Sequence, residues 1–411
     1  MTPEIKQRIE QIRRGEVPEG YVKTALGLAP ANWKRYTFGD IYTERKEPGD
    51  ENLPLLMVSI HSGVSDGEVD AAELPKQVKR IEDKSQYKKA VSGDLVFNMM
   101  RAWQGAIGTV RTTGMVSPAY IVAEPNDKVY PLFMDYYSRT PQMINQIDRQ
   151  SYGVTDFRKR LYWDSFAPIG CTLPPIEEQQ KIAAILTTQD KVIELKEKRL
   201  AEKQRQKKYF MQQLLTGKKR LPGFSGEWKK TKLKNILYER KTYSPKGLEY
   251  PHVTLSAEGI FPKSERYDRD HLVRDEDKEY KITHKGDICY NPANLKFGAI
   301  CENTFGDAIF SPIYVTFEVE ENICKEYIAN YLMRWDFINA VRKYEEGTVY
   351  ERMAVKPEDF LKFEIFLPQI EEQAAIAEVL STADREIELL QQDIEQEKQK
   401  KKALMQLLLT G

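Results

Sequence analysis

The chain has 411 residues, 41% of them hydrophobic and 30% charged, with 62 basic against 62 acidic side chains. That length exceeds one compact core and predicts two or three domains of an ordinary globular protein. A formal net charge of +0 excludes a protein that coats nucleic acid by bulk charge alone, and no apolar run reaches the roughly 20 residues of a membrane span.

The opening MTPEIKQRIEQIRRG predicts a short helix over 3–14. It lacks the apolar stretch of a secretory signal, so the expected location is the cytoplasm. The rest of residues 1–172 reads as a small domain of mixed α/β (α+β) character. Short β-type runs ("LPLLMVSI", "DLVFNMM", "AIGTV", "AYIVAE") are broken by turns, and a helical stretch covers Leu132–Gln150. Residues 173–217 then predict one long helix. Pro174 and Pro175 suit its entry, "IEEQ" places acids in the first turn, and "LLTG" supplies a glycine for the end. Leu186, Ile193, Leu200, Lys207 and Leu214 recur every seventh residue, which is the seam of a coiled coil.

From Lys218 to Lys241 nine basic residues face only Glu227 and Glu239. A second mixed domain follows over 218–366, with runs "YPHVTLS", "GDICYN" and "IYVTFEVE" and a helical stretch Lys325–Tyr344. A second long helix over 367–411 carries Leu380, Ile387, Ile394, Lys401 and Leu408 at the same seven-residue interval.

The two halves are one duplicated unit. Leu173–Gly217 aligns with Leu367–Gly411 without a gap, and 22 of 45 positions are identical. Upstream, "ERK" recurs at Glu44–Lys46 and Glu239–Lys241. "GDLVFNMMRAWQGAI" aligns with "GDICYNPANLKFGAI", and "SPAY" with "SPIY". Neither long helix can bury its stripe alone. The expected solution is an antiparallel coiled coil of the two, relating the halves by an approximate two-fold axis; the alternative packs each helix on its own globular domain.

Chemistry is sparse. The chain contains no GxGxxG, GxxxxGK[ST], GxSxG or HExxH pattern. "NPAN" at Asn291–Asn294 is a near miss to the NPP-aromatic motif of amino-methyltransferases, lacking both the second proline and the aromatic. His271, His284, Cys289 and Cys301 match no zinc spacing, so no metal is expected, and Cys171, Cys289, Cys301 and Cys324 read as reduced thiols.

The aligned loops differ where the frame does not, which is how two targets are read by one scaffold. Arg101 suits guanine, Gln104 or Asn294 adenine, and Trp103 or Phe297 offers an apolar or stacking face. Arg158, Lys159, Arg160 and the run from Lys218 suit phosphates. Lys296 flanks Phe297. In "YGVTDFRKRL", facing "EGTVYERMAV" in the second half, Tyr152, Tyr350 and Arg352 complete the candidate DNA-binding set. The bland readings are a core Trp103, a solvated Arg158 cluster and an interdomain linker at Lys218–Lys241.

The doubled "LPPIEEQQKIAAIL…LLTG" and "LPQIEEQAAIAEVL…LLTG", with "FNMMRAWQGAIG", "SPAY" and "YGVTDFRKRL", resemble the specificity (S) subunit of Type I restriction-modification systems over essentially the whole chain. The resemblance implies two target-recognition domains, each reading half of a bipartite double-stranded DNA site, joined by helices whose length sets the gap. It implies no catalytic residue and no cofactor in this chain. Two modification subunits would supply S-adenosylmethionine and adenine methylation, and restriction subunits would supply ATP- and Mg-dependent translocation and cleavage. Half-sites roughly one turn apart, about 34 Å, would fit. Lys207 and Lys401, which interrupt the apolar ladder, and "NPAN" depart from the pattern. A specificity partner of a fused nuclease-methylase and a coiled-coil scaffold that binds proteins only remain as alternatives, the last separable by the salt dependence of DNA binding.

Overall fold

The computed structural model describes residues 3–24, 27–50, 52–61, 63–65, 86–155, 158–245, 249–257, 259–263, 279–345 and 354–409. They form two compact units, Met1–Lys196 with Asp393–Gly411, and Glu197–Gln392.

The first unit is built on a four-stranded antiparallel sheet in the order Tyr42–Glu44, Tyr120–Pro125, Leu95–Asn98, Ile107–Thr109. Alternation along the strands sends side chains to two cores. Leu95, Phe97, Ile121 and Ala123 face a large cluster with Phe38, Phe133 and Phe166, while Val96 and Val122 face a smaller one with Leu56, Val58 and Val64. Covered on both sides, the strands read as apolar runs rather than alternating ones. A separate pair, Lys34–Thr37 with Gly170–Leu173, leads into the long helix Ile176–Leu214.

The second unit repeats this plan. Its sheet runs Leu237–Glu239, Val315–Val319, Ile288–Tyr290, Ile300–Glu302. Ile288, Tyr290 and Phe317 lie in the larger core, Cys289 and Cys301 in the smaller. Lys229–Lys232 pairs with Glu364–Leu367 just before the long helix Ile370–Leu409.

Each helical stretch expected as continuous in the globular segments is broken in two. Pro131–Tyr137 and Pro141–Arg149 replace Leu132–Gln150, because Pro141 has no N–H to continue the first helix, and Thr140 caps the second by accepting from Met143 N at 3.4 Å. Lys325–Leu332 and Trp335–Val341 likewise replace Lys325–Tyr344, with Arg334 extended between them and a single 3-10 turn at Arg342–Tyr344. The short N-terminal helix spans Pro3–Arg13.

Both expected modes of long-helix packing occur in each unit. Ile182, Ala183 and Leu186 join the first unit's large core and Ile376, Ala377 and Leu380 the second's. Beyond these turns the helices pair with each other in antiparallel sense. In the first unit Lys196 meets Asp393 and Glu397, and Gln189 donates to Glu397 at 2.7 Å; in the second, Lys203 meets Glu386. Lys207 and Lys401, which interrupt the apolar ladder, are each taken up by the opposite helix. They form reciprocal interhelical ion pairs, with Asp384 and Asp190 respectively, and Lys401 also lies 5.4 Å from the Tyr136 ring centroid. Along the seam Leu186, Ile193, Leu214, Leu380 and Ile394 are buried, and Leu200, Ile387 and Leu408 are half-buried.

Candidate nucleic-acid interface

Each unit presents one turn of the same construction. After the strand Leu95–Asn98, the Asn98 side chain accepts from Met100 N at 2.9 Å, a single 3-10 turn covers Ala102–Gln104, and Gly105 closes it at φ 102. In the second unit the Asn291 side chain accepts from Ala293 N at 3.1 Å, the turn covers Leu295–Phe297, and Gly298 closes it at φ 85. Both glycines hold the left-handed conformation that a Cβ penalises. Ala102 and Leu295, at aligned positions, are fully buried and pin each turn to its core.

The tips differ. Arg101 and Gln104 are exposed in the first unit, Asn294 and Phe297 in the second, Phe297 at 67%. Trp103 is half-buried against the large core and donates its indole N–H to Met100 O at 3.0 Å. Lys296 lies 5.2 Å from the Phe297 ring centroid.

The loop beginning at Tyr152 sits beside the first turn. Tyr152 and Arg160 exchange backbone hydrogen bonds at 2.9 and 2.7 Å, and Leu161 N donates to Met99 O at 2.9 Å. Tyr152 and Arg158 are exposed; Lys159 and Arg160 are half-buried. The structure therefore brings Arg101, Trp103, Gln104, Tyr152 and Lys159 into one neighbourhood. In the second unit Val355 N donates to Pro292 O at 3.4 Å and the Tyr290 hydroxyl to Val355 O at 3.0 Å. Tyr350 and Arg352 lie outside the described residues.

Sequence reasoning missed Asp148. On the helix Pro141–Arg149, it accepts from Lys159 Nζ at 2.7 Å, and that ammonium also lies 5.0 Å from the Trp103 ring centroid. An acid near the end of a helix just before a basic loop was the available signal.

Two of the nine basic residues at Lys218–Lys241 are committed inside the protein. Arg220 grips Glu372, which is 2% exposed at its side chain. Arg240 makes a bidentate pair with Asp287 at 3.0 and 3.1 Å. Its counterpart Arg45 grips Asp94 in the same way, at 2.7 and 3.2 Å. The repeated "ERK" and "GD" are thus two ends of one internal salt bridge.

Burial pushes the Cys171 and Cys301 thiols up to about 12, so they carry no thiolate at neutral pH. Among the described residues no group of three or more His, Cys, Asp or Glu could hold a metal ion. No described helix is long and apolar enough to cross a membrane.

A tandem pair of like domains, each carrying the same glycine-closed turn with different tip side chains, is one duplicated scaffold with two unlike surfaces. A family model, the Type I restriction modification DNA specificity domain, matches residues 72–204 and 226–399. The chain belongs to this family and carries its domain twice; its function is that of a specificity subunit, recognition of a DNA target. It is 24% identical to a putative type I restriction enzyme MjaX specificity subunit of Methanocaldococcus jannaschii, covering 96% of each chain. It is also 24% identical to the MjaVIII specificity subunit of the same organism, covering 80% of this chain and 82% of that one. Among solved structures it resembles the S subunit of a Type I restriction-modification system from M. genitalium. There the TM-score is 0.56 at 10% identity over 92% of this chain and 96% of that one. A chain from a study of type I R-M complex assembly and conformational transition gives 0.54 at 17% identity over 93% and 98%. At these identities the structural likeness speaks for the fold.

Proposed function

We propose that each unit reads one half of a bipartite DNA site through its glycine-closed turn and the loop beside it. The observation that carries this is the pairing of an unchanged turn backbone with changed tips: Arg101 and Gln104 in one unit, Asn294 and Phe297 in the other. Arg101 would take guanine, Gln104 and Asn294 adenine, and Phe297 an apolar contact or a stack; Arg158, Arg160 and Tyr152 would hold the backbone. Trp103 would support the turn rather than touch a base, because its N–H is already used. Tyr350, Arg352 and Lys296 complete the set in the second unit.

On this reading the chain catalyses nothing itself. Its relatives are specificity subunits of type I restriction enzymes, and one similar chain belongs to a type I R-M assembly. By analogy, adenine methyltransferase subunits bringing S-adenosylmethionine, and restriction subunits bringing ATP and Mg, would dock on this chain in the cytoplasm. The seam residues of the long helices, Leu186, Ile193, Leu200 and Leu214 with Leu380, Ile387, Ile394 and Leu408, would set the half-site spacing. At 1.5 Å per residue the 39-residue helix Ile176–Leu214 is about 58 Å long.

Mapping adenine methylation in the host with and without this gene tests the reading. One split motif with a fixed gap, lost with the gene, is the expected result; an unchanged methylome, with DNA affinity indifferent to salt, would leave only a protein scaffold.

A further inference from the structure

We propose that Asp148 and Lys159 are positioning residues: with Trp103 they form a stack that fixes the first unit's reading turn, and Lys159 is not one of the phosphate contacts. This rests on the proposed reading of that turn and assigns a role within it.

Every member of the stack is already engaged. The Lys159 ammonium, on a side chain 22% exposed, sits 2.7 Å from an Asp148 carboxylate oxygen and 5.0 Å from the Trp103 ring centroid. Cation and ring attract through the ring quadrupole, and reaching a phosphate would break both contacts. Trp103 is held from below by the large core and at its edge by the Met100 carbonyl. Asp148 rides on a helix with a capped, proline-led start. The stack thus ties three separate pieces of chain, the helix, the loop closed by the Tyr152–Arg160 pair and the turn, leaving Arg101 and Gln104 exposed at its end. The second unit has a different arrangement. At the aligned positions Asp148 becomes Arg342, paired with Glu345 at 3.3 Å, and Trp103 becomes Lys296.

The test uses the full chain with its methyltransferase partner, bound to a duplex carrying the mapped site, titrated with salt. Lys159→Met and Asp148→Asn should each leave the log–log salt slope unchanged while lowering discrimination against single-base changes in the first half-site about tenfold, the scale of one mismatched pair. Discrimination in the second half-site should persist and reports a folded chain. The double variant should be no worse than either single one, and Lys159→Arg, which keeps charge and ring contact, should restore discrimination. A slope shallower by about one in Lys159→Met, with discrimination intact, would make Lys159 a phosphate contact and overturn the proposal. Unchanged slope and unchanged discrimination would overturn it too. Absence of salt-dependent, sequence-selective binding by the unmodified protein would instead sink the reading of the turn itself.

Discussion

The two units answer the same structural problems alike in the sheet and differently at its margins. In both, a half-buried arginine from the first sheet strand's end grips a buried aspartate that also accepts a backbone N–H of its own turn, Val91 N to Asp94 and His284 N to Asp287. In both, the glutamine of "IEEQ" is buried and ties the helix start to the globular part. Gln179 accepts from Tyr130 N and donates to Lys128 O and Pro174 O, and Gln373 accepts from Cys324 N and donates to Pro368 O. Next to that glutamine the units part. Glu178 takes the Trp33 indole N–H at 3.1 Å, whereas the aligned Glu372 is taken by Arg220, and Trp228, the counterpart of Trp33, has a buried indole N–H without a hydrogen-bond partner among the described residues. Duplication has preserved the contacts that orient elements and released those that only finish a surface.

The shared salt bridge offers the largest test of this. Arg45 is 10% and Arg240 18% exposed at the side chain. Asp94→Ala or Asp287→Ala would remove the buried partner of a poorly solvated guanidinium, leaving Arg45 only the exposed Glu47 and Glu124 and Arg240 only the exposed Glu318, at a cost of about 3 kcal/mol, the low end for a broken buried pair. Chemical denaturation of the full chain should register both losses at similar size. If one were negligible, the two bridges would not be equivalent supports.

The divergent tryptophans give a smaller, asymmetric effect. Trp33→Phe removes the donor to Glu178 and should cost about 1–2 kcal/mol more than Trp228→Phe, which removes a donor that nothing accepts. Equal melting shifts for the two variants would mean that the indole N–H contributes nothing in either place.

Much of this architecture was legible because duplication makes the sequence its own comparison. The aligned "GDLVFNMMRAWQGAI" and "GDICYNPANLKFGAI" proved to hold the same turn, each closed by a left-handed glycine, and the seven-residue ladder marked helices that pair. What the sequence lacked was the third dimension of each motif. Lys207 and Lys401 looked like defects in an apolar stripe, because their partners Asp384 and Asp190 lie on the opposite helix, 177 and 211 positions away. The break before Pro141 was visible as a proline, yet the apolar pattern ran across it and won the reading. Among the candidate contacts, side-chain type nominated Arg101 and Gln104, which are exposed, but could not separate an exposed Arg158 from a Lys159 engaged by Asp148.

The smallest expected effect concerns acid and the helix pair of the first unit. Glu397 accepts from Gln189 and from Lys196, and these bonds, the glutamine's first, hold its carboxyl down to about 2 from an ordinary value of 4.5. A carboxyl whose folded-state value is depressed stabilises the fold above its unfolded value and loses that contribution as pH falls through the folded one. The helix pair of the first unit should therefore weaken between about pH 4.5 and pH 2, and Glu397→Gln should flatten that part of the profile. In the second unit the aligned residue is Lys203, bonded to Glu386, so Lys203→Gln removes an ion pair without touching the Glu397 titration. Melting curves at pH 3 and pH 5 distinguish the two. The unmodified chain and Lys203→Gln should share the same acid-dependent drop and Glu397→Gln should show a smaller one, because Asp40, Glu47, Asp336 and Glu364 are also held below their usual range; a drop of the same size in all three would locate the acid sensitivity elsewhere in the molecule.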